Sequence, residues 1–359
     1  MADIATNDPE LRRLIDQVFA ARDAGTALEI RGGATKRFYG NEPRGQEMDL
    51  RALAGISSYE PSELVATVRA GTPLAELEAA LAEQGQCLPF EPPRFAPGGT
   101  VGGMVAAGLS GPARAAVGSV RDYVLGATIL DGQGRVLTFG GQVMKNVAGY
   151  DVSRSMAGSM GVLGVILEVS LKVLPLPPAT ATLAFDCDQA DALRRLSGWT
   201  SQPLPINASF WHGGRLWLRL SGAQAAVESA VQRLGGESVP AEVAAALWRS
   251  VRDQDHAYFA PGSGLWRLSL PALTPVLPLA GEVAFEWGGA QRWLRSDADP
   301  AAVRAAATGA GGHATQMRGP DRSEVFTRPA EPLMRIQREL KRAFDPHGLF
   351  NPGRLYSDL

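Results

Sequence analysis

Glycine clusters at four places constrain this 359-residue chain more strongly than any other sequence feature. A single cluster is typical of a tight turn in a sheet. Because glycine has no Cβ, a cluster also lets backbone N–H groups approach an anion and form a nest for a phosphate. Four clusters in this order favour a phosphate-containing ligand over unrelated turns. They are Arg31-Gly-Gly-Ala-Thr-Lys36, Pro97-Gly-Gly-Thr-Val-Gly-Gly103, Ser110-Gly111 and Gly158-Ser-Met-Gly-Val-Leu-Gly164.

The composition excludes several classes of protein. The 35 basic and 37 acidic residues give a net charge of −2, which argues against a nucleic-acid-binding protein. No apolar run reaches ~18 residues, so no transmembrane helix is expected. The start, MADIATNDPELRR, lacks the basic and apolar segments of a secretory signal, and two cysteines, Cys87 and Cys187, fit a reducing compartment. The four histidines lack metal-site spacing, so we expect a soluble cytoplasmic α/β protein without a metal site.

The N-terminal region predicts alternating helices and strands. Asn7 or Asp8 can cap a helix that begins at Pro9 and ends before Gly25. Strands are predicted at 27–31 and 64–69, and a second helix follows Thr72-Pro73. This βαβ-like order is typical of a sheet covered by helices. The apolar stripes of the two helices are Leu11, Leu14, Ile15, Val18 and Phe19, and Leu74, Leu77 and Leu81.

Long strands are predicted between residues 123 and 173. A hairpin of 123–130 and 135–139 turns at Asp131-Gly-Gln-Gly134. Residues 167–173 alternate between apolar and polar side chains, which predicts a half-buried strand. The run Leu174-Pro-Leu-Pro-Pro178 cannot extend a central strand, so we place the main domain boundary there.

The pattern changes after this boundary. Residues 180–234 read as β-α-β-β-α, with a hairpin turn at Gly213-Gly214, which is most of a ferredoxin-like unit. The tail predicts a helix followed by the sequence FDPHGLFNPG. One face of that helix carries Leu333, Ile336, Leu340 and Phe344.

The common nucleotide-binding motifs do not explain the glycines. The sequence has no GxxxxGK[ST], and its GxGxxA match, Gly309-Gly311-Ala314, follows a helical run rather than a strand. We therefore reject a Rossmann site. The 97–103 cluster precedes an apolar run at 104–109. Gly102 and Gly103 could therefore begin a helix whose N-terminus faces a phosphate.

The sequence resembles the FAD-binding flavoproteins of the vanillyl-alcohol oxidase/p-cresol methylhydroxylase (PCMH) superfamily. Within that superfamily, the stretch from LPFEPPRF to VSLKVLP is similar to the FAD-binding E subunit of bacterial glycolate oxidase. The resemblance is dense from Cys87 to Pro178, looser over 25–86, absent from 179–330, and present again at the C-terminus. The motifs that carry it, in order, are RGGATK, GGTVGG, SVRDYVLGATILDGQG, KNVAGYD, GSMGVLGVI and FDPHGLFNPG.

This resemblance implies an α+β protein in three parts. A two-subdomain FAD-binding fold of PCMH type would occupy 1–178, a ferredoxin-like α/β cap 179–330, and a C-terminal segment that returns to the FAD domain 331–359. FAD would lie extended, with its pyrophosphate on the backbone of 32–36 and Asn351-Pro-Gly353 beside the flavin. Thr35 stands where covalently flavinylated relatives carry a histidine, so the FAD is expected to be bound non-covalently.

The resemblance also implies a set of cofactor-binding residues. Backbone groups of Val165 and Ile166 would face adenine or ribitol. Lys145 could pair with a flavin carbonyl or a phosphate, and a solvated loop lysine is the alternative interpretation. The full set is Gly32, Gly33, Ala34, Thr35, Lys36, Pro97, Gly98, Gly99, Thr100, Gly102, Gly103, Ser110, Gly111, Lys145, Asn146, Gly158, Gly161, Gly164, Val165, Ile166 and Asn351.

The predicted cap carries no catalytic motif that we can match. The related D subunit and the D-lactate dehydrogenases share a cap motif of His-x-x-Asp-Gly-Asn-x-His type, which this sequence lacks. Oxidation of a 2-hydroxy acid needs a base and a cation for the carboxylate. We interpret His212 as a surface turn residue and His256 as a helix cap or a surface group, outside any such constellation, and assign no catalytic residue. Trp211 and Trp217 fit either the core or a subunit interface, and we predict that their hairpin displays them to a partner.

The resemblance implies an enzyme that oxidises glycolate to glyoxylate as part of a complex. Its expected partners are a D-type flavoprotein subunit and an F-type iron–sulfur subunit, which would receive electrons from the flavin. Any peripheral association with the inner face of the membrane would occur through these partners. Two alternatives stay open: a self-sufficient FAD-dependent 2-hydroxy acid dehydrogenase of D-lactate type, and a non-catalytic flavin-relay or scaffold subunit.

Overall fold

The computed structural model describes residues 8–141 and 151–359. Its N-terminal part combines short helices with a five-stranded sheet and two pairs of short strands. The elements are α1 (Pro9–Ala24), β1 (Leu28–Arg31), β2 (Gln46–Asp49), β3 (Ile56–Glu60), β4 (Val65–Arg69), α2 (Leu74–Glu83), β5 (Gln86–Cys87), α3 (Val101–Ala107), α4 (Arg114–Val117), α5 (Val120–Tyr123), β6 (Val124–Leu130), β7 (Val136–Gly140), β8 (Val165–Lys172) and β9 (Leu174–Pro175).

The first helix begins and ends where the local sequence predicts. The Asp8 carboxylate accepts a hydrogen bond from the Glu10 N–H at 2.9 Å, which caps α1, and Gly25 ends the helix at a φ of 63°. β1 pairs in parallel with β2, and Leu28 forms a parallel bridge with Phe350. The C-terminal segment therefore lies beside the first strand, and the apolar stripe of α1 packs against both.

The five-stranded sheet has the order β3-β4-β8-β6-β7 and is antiparallel throughout. The predicted hairpin is confirmed as the β6–β7 pair. The prediction of a half-buried strand is wrong, because the central strand β8 is buried on both faces. Its polar side chains are paired instead of solvated. Ser57 donates to Glu168, and the hydroxyls of Thr67 and Ser170 are 2.9 Å apart.

The remaining chain forms an eight-stranded antiparallel sheet with helices, followed by a final helix. Its elements are β10 (Ala179–Asp186), α6 (Gln189–Thr200), β11 (Ile206–His212), β12 (Arg215–Gly222), α7 (Gln224–Leu234), β13 (Glu237–Ser238), α8 (Ala241–Asp253), β14 (Leu265–Ser269), β15 (Glu282–Glu286), β16 (Gln291–Arg295), α9 (Pro300–Gly309), β17 (His313–Arg318) and α10 (Glu331–Phe344).

Two units with the same strand order make up this sheet. β10 to β13 have the order β13-β10-β12-β11, the ferredoxin-like arrangement that the sequence predicts. β14 to β17 have the order β17-β14-β16-β15, read from the opposite edge. If the strands of each unit are numbered in chain order, both units have the order 4-1-3-2 from the outer edge of the sheet to its centre. The units meet through their second strands, β11 and β15, which pair antiparallel.

The second unit lacks a helix between its first two strands. Between β14 and β15 the chain passes through Pro271, Pro275 and Pro278 without forming one. Proline has no N–H to donate and its ring clashes with the preceding helical turn. These prolines interrupt the helical pattern, so the sequence alone predicts only the first unit.

The predicted display is wrong for Trp211, whereas Trp217 is partly exposed. Trp211 is 8% exposed and stacks on Phe285, with ring centroids 5.1 Å apart. Trp217 stacks on Phe210 at 5.7 Å. The physical reason is that apolar clusters cover both faces of the sheet, one beneath α6 and α7 and the other against the N-terminal part. Both faces of the hairpin therefore pack against other parts of the protein.

The final helix turns three of the four residues of its predicted apolar stripe outwards, while the fourth, Phe344, packs against Phe139. Leu333, Ile336 and Leu340 are 57%, 51% and 38% exposed. The inward face carries Met334 and Lys341, whose ammonium donates to Asp345 at 2.7 Å and to the carbonyls of Val162 and Phe350 at 2.8 and 2.7 Å. This satisfied buried ammonium, rather than the apolar stripe, sets the rotation of α10.

The N-terminal part and the eight-stranded sheet share one buried apolar cluster, in which Tyr39 and Met160 meet Phe210 and Trp293. The division into 1–178, 179–330 and 331–359 stays a prediction. Among residues 8–141 and 151–359, no helix has the length and apolar character needed to cross a membrane.

Candidate cofactor site

A cleft of about 880 Å³ lies beside the loop that leaves β1. The start of α3, the loop before β8 and the C-terminal segment complete its walls. More than half of the predicted cofactor residues line it, although they come from four separate parts of the sequence. These are Gly32, Gly33, Ala34, Thr35, Lys36, Thr100, Gly102, Gly103, Gly161, Gly164, Ile166 and Asn351.

Other predicted residues lie outside the lining of this cleft. The Ser110 hydroxyl accepts from the Val120 N–H at 3.2 Å, and the Gly111 carbonyl accepts from the Trp287 indole at 3.0 Å. Lys145 and Asn146 fall outside the described residues. The described residues of the predicted set that do not line the cleft are Pro97, Gly98, Gly99, Ser110, Gly111, Gly158 and Val165.

The loop 32–36 offers backbone donors that the protein does not use. Within the described ranges, the N–H groups of these five residues donate to no protein acceptor. Ala34 adopts a φ of 56°, the left-handed conformation that helps to point successive N–H groups at one anion in a backbone nest. The loop can therefore give several hydrogen bonds to one anion in the cleft.

Gly33 keeps this loop against the second glycine cluster. A Cβ on Gly33 would overlap the carbonyl of Gly98, a backbone atom that cannot rotate away. The φ of Gly33 is not in the left-handed region, so close approach, rather than backbone conformation, requires this glycine. Gly98 and Gly99 thus support the cleft from outside its lining.

Two cations border the same loop. Arg31 pairs with Glu47 through one terminal nitrogen, while its buried Nε has no hydrogen-bond partner among the described residues. Burial lowers the pKa of Lys36 to about 8, although Asp253 and Glu78 raise it. A bound anion would supply the missing acceptor for Arg31 and would favour the charged form of Lys36.

Arg354 is a cleft residue that the sequence analysis missed. This residue is 6% exposed, and its guanidinium donates to the carbonyls of Arg37, Tyr39 and Asn41 instead of to a carboxylate. Burial, with repulsion from Arg322, lowers its pKa to about 10, so it stays charged at neutral pH. Its place directly after Asn351-Pro-Gly353 was the one signal that could have indicated it.

The start of α3 does not offer free donors to a phosphate, so that prediction is wrong. The N–H groups of Val101 and Gly102 donate to the carbonyls of Thr72 and Ala70 at 2.9 and 2.8 Å. The Gly103 N–H donates to the Thr100 hydroxyl at 3.2 Å. Gly102 is needed for packing, because a Cβ there would lie 2.6 Å from the Cβ of Ala70.

Asn351 joins three segments at the floor of the cleft. Its side-chain oxygen accepts from the Ile30 N–H at 2.8 Å, and its amide nitrogen donates to the Met160 carbonyl at 2.6 Å. A Cβ on Gly161 would lie 2.6 Å from that nitrogen. Asn351 therefore holds the end of β1 at a fixed distance from the 158–164 loop.

The two cap histidines lie together, which the sequence analysis did not predict. Their ring centroids are 5.7 Å apart, and His212 Nε2 is 2.7 Å from Glu282. His256 Nδ1 accepts from the Tyr258 N–H, so its predicted capping role is confirmed. Neither histidine lines the cleft. Within the described parts of the chain, no cluster of three or more His, Cys, Asp or Glu could hold a metal ion.

Comparison with known proteins identifies the family of this chain. Residues 10–140 match the family model described as FAD binding domain. Glycolate oxidase subunit GlcE of Escherichia coli (strain K12) is 46% identical over 346 residues, covering 96% of this chain and 97% of that protein. The chain belongs to the GlcE family.

More distant relatives match part of the chain. D-lactate dehydrogenase of Anaerostipes hadrus is 34% identical over 39% of this chain and 29% of that protein, and glycolate oxidase subunit GlcD of Bacillus subtilis (strain 168) is 30% identical over 51% and 42%. A solved structure of alkyldihydroxyacetonephosphate synthase is similar in fold, with a TM-score of 0.63 at 16% identity over 95% of this chain and 74% of that one. The predicted FAD-binding α+β fold is confirmed, and the chain is an FAD-dependent oxidoreductase.

The residues of the cleft fit this cofactor. FAD carries a diphosphate, and the 32–36 loop supplies free N–H donors with Arg31 and Lys36 close by. The cleft walls beyond the loop are largely apolar, with Ala106, Ala107, Met160 and Ile166 among them, and suit a flat ring system. The individual FAD contacts of these residues stay predictions.

Proposed function

We propose that this chain is the FAD-binding subunit of a dehydrogenase complex that oxidises glycolate to glyoxylate. The observation that carries the proposal is the 46% identity to a glycolate oxidase subunit over nearly the whole of both chains. That similarity includes the eight-stranded cap region. The match to D-lactate dehydrogenase spans 29% of that relative's length, so it supports a common FAD-binding module rather than the same substrate.

Partner subunits are part of the proposal. Cys87 and Cys187 are the only cysteines, whereas a cubane iron–sulfur cluster needs about four thiolate ligands. Electrons that leave through an iron–sulfur centre must therefore pass to another chain. We infer a D-type flavoprotein and an F-type iron–sulfur subunit as partners, and any contact with a membrane would come through them.

The residues of this chain would bind the cofactor and offset the charge of its diphosphate. The N–H groups of 32–36 would donate to the diphosphate, Arg31 and Lys36 would offset its charge, and Asn351 would hold the segments around the flavin in place. Bound FAD would accept the two electrons released when glycolate, losing two protons, becomes glyoxylate.

Anaerobic reduction tests the proposal. Glycolate is added to the FAD-loaded chain alone and to the chain reconstituted with its two partners, and the flavin spectrum is followed. We expect rapid bleaching and dye reduction in the complex, and negligible turnover by the lone chain. Turnover by the lone chain at the rate of the complex would establish a self-sufficient dehydrogenase instead. A complex that oxidises glycolate equally well with FAD-free chain would leave only a scaffold role.

A further inference from the structure

A second cavity, of about 1170 Å³, lies between helix α8, strand β10 and the segment that contains Glu91. We call it the α8 cavity. Trp248, Arg249 and Arg252 of α8 line it, and residues of β12, β13 and α7 complete its walls. None of the residues that line this cavity also lines the cofactor cleft. The α8 cavity is therefore separate from the site described above.

Three arginines and one carboxylate line the α8 cavity. Arg219 lies 2.8 Å from Glu91, and Arg252 lies 2.7 Å from Asp253, which is outside the lining. Arg249 is exposed, and within the described ranges it makes no hydrogen bond or ion pair with another residue. Two of the three guanidinium charges are therefore balanced by carboxylates, and the charge of Arg249 is not.

The pair of Arg219 and Glu91 forms a preformed wall of the cavity. The Glu91 carboxylate also accepts from the Ala113 N–H at 2.9 Å, and the Arg219 Cζ lies 4.9 Å from the centre of the Trp248 ring. The Trp248 indole donates to the Thr182 hydroxyl at 3.0 Å. Glu91 has a φ of 49°, a conformation that a residue other than glycine keeps only where its surroundings hold it. These contacts fix the positions of the indole and of the paired guanidinium.

Half of the lining residues are apolar, and apart from Trp248 these have short side chains that leave the space open. They are Ala181, Val231, Val239, Ala241, Ala244 and Ala245. Each ligand methylene group that leaves water for an apolar wall favours binding about fourfold. The cavity can therefore take an apolar body of several carbon atoms next to a cationic group.

We propose that the α8 cavity binds a small organic monoanion, namely a carboxylate with an apolar body of several carbon atoms. Arg249 binds the carboxylate, because a guanidinium offers paired N–H donors to its two oxygens. The alanines, the valines and the Trp248 ring cover the apolar body. The single unbalanced charge favours one anionic group over two. This ligand is distinct from FAD, and the site goes beyond the proposed function.

Titration calorimetry with octanoate tests the site. The chain is loaded with FAD, so that the cofactor cleft is occupied. We expect saturable binding that weakens roughly tenfold or more in Arg249→Gln. Hexanoate should bind roughly tenfold more weakly than octanoate, because it lacks two methylene groups. Arg335→Gln, a substitution on exposed α10, is the matched control and should bind octanoate as the wild type does.

A second variant fills the cavity without changing a charge. Ala245 is exposed on α8 and lines the cavity, so Ala245→Trp should lose octanoate binding while it keeps its FAD. Flavin content and circular dichroism after gel filtration show that both variants are folded. Four results would overturn the proposal: no saturable octanoate binding by the wild type, unchanged binding in both variants, equal affinity for hexanoate and octanoate, or release of FAD by octanoate. The last result would place the carboxylate in the cofactor cleft instead.

Discussion

At the residue scale, the ability of the cleft to bind an anion depends on which backbone N–H groups are free and which already donate a hydrogen bond. The 32–36 loop and the start of α3 are both glycine-rich, yet of these two only the loop leaves its N–H groups without acceptors among residues 8–141 and 151–359. The glycines of α3 instead permit close packing against Ala70. A glycine motif therefore marks a place where the backbone comes close to something, and the partner can be a ligand or another strand.

Gly33→Ala should weaken FAD binding. The added methyl group would overlap the Gly98 carbonyl, and separating the two loops moves the free N–H groups. An overpacking cost of this kind corresponds to roughly tenfold to hundredfold lower affinity. The flavin-to-protein ratio after gel filtration measures it. Gly198→Ala, in helix α6 with open space around it, is the matched control and should keep its flavin. Equal flavin content in the two variants would contradict the role given to Gly33.

The FAD should be released completely by acid. Thr35 has a hydroxyl where covalently flavinylated relatives carry an imidazole, and a threonine hydroxyl does not form that histidyl link. Precipitation with trichloroacetic acid should leave all flavin absorbance in the supernatant. Yellow, flavin-containing pellets that survive washing would refute this prediction.

FAD affinity should fall at alkaline pH through Lys36. Burial lowers the pKa of Lys36 to about 8 in the free protein, and a nearby diphosphate would raise it again. Because the ammonium form binds the anion better, affinity should be constant below pH 7 and decrease as pH rises through about 8. Fluorescence titrations of the apoprotein with FAD between pH 6 and pH 10 measure this slope. Lys36→Arg should remove the slope, since arginine stays charged, and an unchanged slope would assign it to another group.

At the element scale, helix ends and hairpins follow local chemistry, whereas helix rotation does not. Asp8 and Gly25 bound α1, and Asp188 caps α6 by accepting from the Asp191 N–H at 2.8 Å. The sequence predicts a helix end at each of these three residues. The rotation of α10 is not, because it follows from the buried contacts of Lys341 with residues far away in the chain.

Substitutions on α10 should separate its two faces. Met334→Glu places a carboxylate at a fully buried position and should destabilise the protein by about 2–5 kcal/mol. Ile336→Glu changes a side chain that is 51% exposed and should stay within about 0.5 kcal/mol of the wild type. Urea unfolding of the FAD-free proteins measures both. A reversed order would mean that the apolar stripe faces inwards after all.

At the scale of the whole molecule, the two halves of the chain are joined by buried side chains, and the eight-stranded sheet itself encloses polar groups. Glu286, at the end of β15, is 3% exposed and accepts from the Trp293 indole at 2.7 Å and the Gln291 amide at 3.0 Å. Burial raises its pKa from 4.5 to about 7. The folded protein therefore holds this proton more tightly than the unfolded chain does.

Stability should decrease between pH 5 and pH 7 because of Glu286. Because folding raises the pKa of Glu286, its protonated carboxyl group stabilises the folded state fully below pH 4.5. This stabilisation is lost as the pH rises to about 7. Glu286→Gln keeps an oxygen for both hydrogen bonds and removes the charge. The difference in unfolding free energy between this variant and the wild type should be up to about 3 kcal/mol larger at pH 8 than at pH 4.5, in favour of the variant. Parallel urea unfolding curves at the two pH values measure the difference, and equal values at both would contradict the prediction.

The sequence by itself determined the elements whose signals are local. Caps, prolines and turn glycines predict α1, α2, the β6–β7 hairpin and the first ferredoxin-like unit, because each depends on residues only a few positions apart. The turn at 32–36 belongs to the same class, since a glycine pair directly after a strand already indicates a turn there.

Features that depend on residues far apart in the sequence were determined only by the tertiary structure. The second ferredoxin-like unit exists through strand pairing across Pro271, Pro275 and Pro278, which interrupt its sequence pattern. Arg354 enters the cleft because the C-terminal segment returns to β1, and Trp287 of the cap donates to the Gly111 carbonyl because the cap packs against the segment before α4. Long-range contacts bring these groups together, and the burial that changes their charge and packing is a property of the folded chain alone.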